Sequence, residues 1–128
     1  MTEKKPLQNE VMEKRVKTLW ERKKKDGMDI TFEKFKKWYM SRDQKCCYCG
    51  ITEEKIKQLM GSGRLTKRNR GKTLELERKN PDKGYDDLNN LALACYWCNN
   101  AKTDTFTAEE FKLVGKAFGK IWKSRGHD

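Results

Sequence analysis

The stretch Thr73–Asp104, TLELERKNPDKGYDDLNNLALACYWCNNAKTD, decides the fold. Leu74 and Leu76 alternate with Glu75 and Glu77, which is the period of a strand with one buried face. NPDKGY is turn chemistry and breaks that strand. LALAC predicts a second strand running straight into a cysteine pair, and CNNAKTD begins another helix or helical turn. Strand, turn, strand, cysteine pair and helix in that order predict an α+β chain built around a hairpin.

Working outward, the hairpin is bracketed by two CxxC pairs, Cys46 with Cys49 and Cys95 with Cys98, and Cys47 is left over. An odd count argues against a disulfide framework. One CxxC turn presents two sulfurs to a single ion and a second turn closes the tetrahedron, so the spacing predicts a structural zinc on Cys46, Cys49, Cys95 and Cys98. Cys47 is taken as the spare thiol, with an exchange against Cys46 left open.

Such a staple has work to do. Among 128 residues only 35% are hydrophobic and 38% are charged, so apolar burial alone leaves little margin. A structural zinc contributes on the order of 10 kcal/mol to folding. The polar start MTEKKPLQNE carries no secretory signal, and no apolar run suits a membrane span. These features predict an intracellular, cytoplasmic or phage-encoded protein whose thiols stay reduced. Thirty Lys and Arg against nineteen Asp and Glu give a net charge of +11, which makes a polyanion the expected partner.

The remaining segments read as helices around this core. From Glu3 to Lys25, Leu7, Val11, Met12, Val16, Leu19 and Trp20 form a helical stripe, laid on the domain or on a second subunit. Thr31 caps a second helix whose Phe32, Phe35, Trp38 and Tyr39 read as core. Thr52, with Ile51 before it and Ile56 beyond, starts a third helix running to about Met60. Thr107 and Glu110 have the spacing of a capping box. The helix they start carries Phe111, Val114, Phe118, Ile121 and Trp122 on one apolar face. Between the third helix and the hairpin, GSGRLTKRNRGK holds five cations and no acid, which predicts a flexible loop that contacts phosphate. The chain as a whole is expected to be one domain, 1–128, with an N-terminal helix over 1–26 and the zinc-stapled core over 31–126.

The combination of hairpin, CxxCN and Lys resembles the HNH, or ββα-metal, nucleases. From Thr31 to Gly126 the chain is similar to a compact, homodimeric restriction-endonuclease type within that superfamily. The helix opening in TF and ending in WY, the CxYCGI knuckle, the GY turn, the ACxxCNxxK block and the closing helix are all in register. The resemblance implies a divalent-metal-dependent DNA endonuclease that hydrolyses phosphodiester bonds. In it Glu77 and Asn99 hold Mg²⁺ or Mn²⁺ through oxygen, and Asn90 ties the hairpin together.

Arg78 stands where the standard motif has a water-activating His. A guanidinium cannot serve as a base, so its expected role is on phosphate. Tyr48 in the knuckle is then the candidate nucleophile or proton acceptor, provided that Arg78 and the metal favour its phenolate, or else a packing residue. Strict alternation puts Arg78 on the leucine face, so a bulge or strand end at Glu77 is required for both to reach one site. Arg64, Lys67, Arg68, Arg70, Lys72 and Lys102 are the expected nucleic-acid contacts. His127, the one histidine, lies beside the C-terminus and is not a candidate. Met28 replaces a His of the similar enzymes, and their N-terminal cysteine pairs are replaced here by the charged helix. DNA and a second copy of the chain are the expected partners, with no membrane and no small-molecule cofactor. The competing reading is a nuclease-derived zinc module that binds nucleic acid without cutting; a third is an RNA-binding zinc-knuckle protein.

Overall fold

A computed structural model describes residues 6–126. Its elements run α1 (Pro6–Lys25), α2 (Phe32–Met40), α3 (Glu53–Gly61), β1 (Glu75–Arg78), a 3-10 turn (Leu88–Asn90), β2 (Leu91–Ala94), α4 (Tyr96–Lys102) and α5 (Ala108–Ser124). They form two compact units, one holding the chain up to Arg42 with Gly84–Leu88, the other Asp43–Lys83 with the residues from Asn89 on. The expected helix residues before Pro6, and His127, lie outside the described residues.

In the first unit α1 packs on α2. Val16, Phe35 and Tyr39 are buried, and Trp20 meets Phe32 edge-on with ring centroids 5.6 Å apart. The Trp20 indole N–H also donates to the Ile30 carbonyl at 2.7 Å, which fixes the chain as it leaves the turn at Gly27. Thr31 caps α2 by accepting from the Lys34 N–H, as its sequence position predicts. Val11 departs from the predicted stripe and is half-exposed. Met28 is buried in this unit.

The second unit is built on the hairpin. β1 and β2 pair antiparallel in the register Glu75–Ala94, Leu76–Leu93, Glu77–Ala92 and Arg78–Leu91. The knuckle continues the sheet on the far edge of β2, where the Cys47 N–H donates to the Leu93 carbonyl at 2.9 Å. Leu74, Leu76, Leu91 and Leu93 are buried, and so is Glu77, so β1 is covered on both faces and not on one. Thr52 caps α3, with Ile51 and Ile56 buried beside it.

Two predicted elements shift. α4 starts at Tyr96, ahead of CNNAKTD, because the Cys95 sulfur caps it by accepting the Cys98 N–H at 3.4 Å. In α5 the capping box of Thr107 and Glu110 is present. Its buried face is Phe111, Gly115 and Trp122, while Val114 and Ile121 are exposed. The reason is Gly115: a Cβ there would stand 2.6 Å from Tyr48 Cβ and 2.7 Å from the Tyr48 carbonyl oxygen. Backbone-close contact with the knuckle turns the helix so that its glycine row faces inward. Among the described residues no helix is long and apolar enough to cross a membrane.

Candidate active site and metal centre

The two CxxC turns meet as the spacing predicts. The sulfurs of Cys46, Cys49, Cys95 and Cys98 all lie within 4.8 Å of one another. Cys49 Sγ and Cys95 Sγ are 3.7 Å apart. Zn–S bonds of about 2.3 Å in a tetrahedron put sulfurs about 3.8 Å apart, so the four residues fit a zinc ion. N–H groups point at these sulfurs, among them Tyr48 N to Cys46 at 3.4 Å, Cys98 N to Cys95 at 3.4 Å, and the Trp122 indole to Cys49 at 3.3 Å. Such donors favour thiolate and orient the ligands.

Donation from Cys49, Cys95 and Cys98 holds Cys46 well below the usual thiol range, while contact with Cys46 and Cys49 pushes Cys95 and Cys98 up. That conflict is what a dication relieves. Cys47 is exposed and outside the cluster, so it is the spare thiol and the exchange with Cys46 does not arise.

Beside the cysteine cluster, α4 crosses the acidic face of β1. Glu75 and Glu77 lie two apart on the strand and Asn99 and Lys102 three apart on the helix, so each carboxylate meets one helix side chain. Lys102 Nζ is 2.8 Å from Glu77 Oε1 and also donates to the Arg78 carbonyl at 2.9 Å. Asn99 Nδ2 donates to Glu75 Oε1 at 2.9 Å. Glu75 is held in addition by Arg70, through Nε at 3.0 Å and Nη2 at 3.2 Å.

Tyr48 completes the group. Its hydroxyl donates to Glu77 Oε2 at 2.5 Å, and its ring meets Phe111 of α5 edge-on at 5.2 Å. Burial, and then the bond to Glu77, push the phenol well above its usual range. The phenolate expected with Arg78 alongside is therefore not favoured here, because the neighbour is a carboxylate. The arrangement can pass a proton between Tyr48 and Glu77.

Arg78 is brought elsewhere. The ladder stays regular through Arg78–Leu91, so the bulge required at Glu77 is absent and the pleat sends the two side chains to opposite faces. Arg78 Nη1 instead approaches the Lys83 carbonyl at 3.4 Å, in the hairpin loop. Asn90 ties that loop: its amide oxygen accepts from Asn80 N at 2.9 Å and its amide nitrogen donates to the Asn80 carbonyl at 3.2 Å.

The expected nucleic-acid contacts divide. Lys67 and Lys72 are exposed. Arg64 and Arg68 are exposed too, and turn toward the end of α5 and toward Tyr96. Arg70 is committed to Glu75. Lys102 is fully buried and is an interior partner of Glu77, not a surface cation. Sequence reasoning missed Gly115 and Gly119, which bring α5 against Tyr48 and Cys49. The signal was there: two glycines four apart inside a helix lower its propensity by about 1 kcal/mol each and call for a packing reason.

Neither a family model nor a curated protein sequence matches the chain. A solved structure of the rare-cutting HNH restriction endonuclease PacI does match, with a TM-score of 0.70 and 30% identity. The match covers 91% of this chain and 82% of that one. With its four-cysteine cluster, hairpin and crossing helix, the chain belongs to the HNH endonuclease family.

Proposed function

We propose that the protein is a divalent-metal-dependent DNA endonuclease. The observation that carries this reading is the buried Glu77–Lys102 pair with Tyr48 on the carboxylate, beside the thiol cluster, in a chain with a net charge of +11. A sequestered carboxylate is costly in a purely structural hairpin and common where chemistry is done.

Glu77 and Asn99 would hold Mg²⁺ or Mn²⁺. Both offer oxygen, which suits a hard cation, and with the Asn99 amide nitrogen on Glu75 its oxygen is the donor available to an ion. When bound, the ion polarises the scissile phosphate. Tyr48, bonded to Glu77, would orient the attacking water, whose proton passes to solvent as its oxygen bonds to phosphorus; the bond from phosphorus to the leaving deoxyribose oxygen breaks, and that oxygen takes a proton from solvent. Arg78 binds phosphate from the hairpin loop, and Asn90 keeps that loop in shape. Two copies of the chain would cut the two strands of a symmetric site. A role in restriction or defence fits the likeness to PacI.

A second reading, a zinc module that binds DNA without cutting, draws support from one feature. Both Glu77 oxygens are engaged by Lys102 and Tyr48, and Arg78 leaves on the other face of the strand.

Supercoiled plasmid with Mg²⁺ or Mn²⁺ separates the two. Nicked or linear product that disappears in Glu77→Ala and Asn99→Ala is the expected result. Cleavage indifferent to both changes removes the metal assignment, and no cleavage by the unaltered protein favours the binding module.

A further inference from the structure

We propose that the cavity between the basic loop and the end of α5 is a seat for the backbone of one DNA strand, with phosphates on Arg64, Arg68 and Arg125 and deoxyribose against Trp97. This rests on the reading of DNA as substrate and goes beyond it by naming the contact and by adding Arg125, Trp97 and Trp122.

The cavity measures about 430 Å³, and those three arginines, the two tryptophans and Thr66 line it. That exceeds what a lone phosphate requires and falls in the range of about 300–1,000 Å³ typical of ligand sites. Trp97 and Trp122 meet edge-on at 5.5 Å and supply an apolar wall. The arginines are held by neutral acceptors, so their bonds leave the positive charge whole. Arg64 Nη1 donates to the Arg125 carbonyl at 3.0 Å, Arg125 Nη1 donates back to the Arg64 carbonyl at 3.1 Å, and Arg68 Nη2 donates to the Tyr96 hydroxyl at 3.2 Å. Arg70, from the same loop, is neutralised by Glu75.

The apolar wall is also anchored: the Trp122 indole N–H donates to Cys49 Sγ at 3.3 Å. Exposed Lys67 and Lys72 extend the charge along the loop, which suits a continuous strand more than a free nucleotide.

The test is a salt titration of zinc-loaded protein binding a short fluorescent DNA duplex, with no other divalent cation added. Arg64→Ala, Arg68→Ala and Arg125→Ala should each weaken binding on every sequence and reduce the log–log salt slope by about 1, while Arg70→Ala leaves the slope in place. DNA should quench tryptophan emission, and Trp97→Phe should lose that part of the signal. Zinc content and circular dichroism check that each variant folds; Arg64→Lys and Arg68→Lys should retain the slope. Unchanged slopes in all three variants, or a slope loss in Arg70→Ala equal to theirs, overturns the proposal. So does the same pattern on an RNA duplex bound more tightly than DNA. Plasmid cleavage run in parallel keeps the two claims apart. Arginine-dependent slopes without any cleavage support the seat and remove the nuclease reading, whereas cleavage with unaltered slopes does the reverse.

Discussion

Lys102 Nζ lies 2.8 Å from Glu77 Oε1, with the two side chains 0% and 3% exposed. Two opposite charges out of water are each tolerable only because of the other, and Lys102 is held in addition by the Arg78 carbonyl. Lys102→Met should therefore strand the Glu77 carboxylate and destabilise the protein by about 3–5 kcal/mol. Glu77→Leu combined with Lys102→Met should recover most of that loss in urea unfolding. A double variant that loses the sum of the two single effects would show the charges to be independent.

Zinc is expected to hold the second unit together. Cys46→Ser and Cys98→Ser should lose the metal and unfold, whereas Cys47→Ser should keep one zinc per chain and full stability, because Cys47 is outside the cluster. Bound thiols are deprotonated, so metal affinity falls as pH falls. Metal analysis across an acid titration and a chelator titration followed by circular dichroism check both statements. Retention of folded signal in excess chelator would count against the staple.

Alkaline pH should act through Tyr48. Its folded-state pKa is raised, by burial first and the Glu77 bond second, above the unfolded value of about 10. A raised pKa contributes stability that is complete below the unfolded value and lost as pH rises past it, since only the unfolded chain then releases the proton. Stability should decline above about pH 10, and Tyr48→Phe should flatten that decline. Under the nuclease reading Tyr48→Phe should also abolish most cleavage. Full activity in that variant would remove Tyr48 from the chemistry.

Gly115→Ala tests the approach of α5 to the knuckle. Helix propensity favours Ala by about 1 kcal/mol, but the added methyl would stand 2.6 Å from Tyr48 Cβ. Backbone displacement of that kind costs roughly 1–3 kcal/mol or more, so the net effect should be a lower Tm. At Gly61, the last residue of α3, a Cβ meets nothing within 4 Å, and Ala should be neutral or slightly stabilising there.

Much of the local architecture was legible in the amino-acid sequence because it depends on neighbours in the chain. The Thr31, Thr52 and Thr107 hydroxyls cap helices by accepting from the N–H groups three residues downstream. Leucine alternation and turn residues define the hairpin, and the CxxC spacing suits a single metal wherever the two turns meet. Charge pointed to a polyanion, and the hairpin with its CxxCN block carried the resemblance to the HNH family without reference to any tertiary contact.

What tertiary structure alone decided is who meets whom. The angle at which α4 crosses β1 pairs Glu77 with Lys102 and Glu75 with Asn99, and no spacing along the chain encodes that angle. A regular ladder through Arg78 separates it from Glu77, where the expected site required a bulge or a strand end. The close contact at Gly115 then rotates α5, exposing Val114 and Ile121 and carrying Trp122 to Cys49. Propensities and periods are properties of a few adjacent residues; side-chain partnership between distant segments is set by packing, where one methyl group or one residue of register changes the answer.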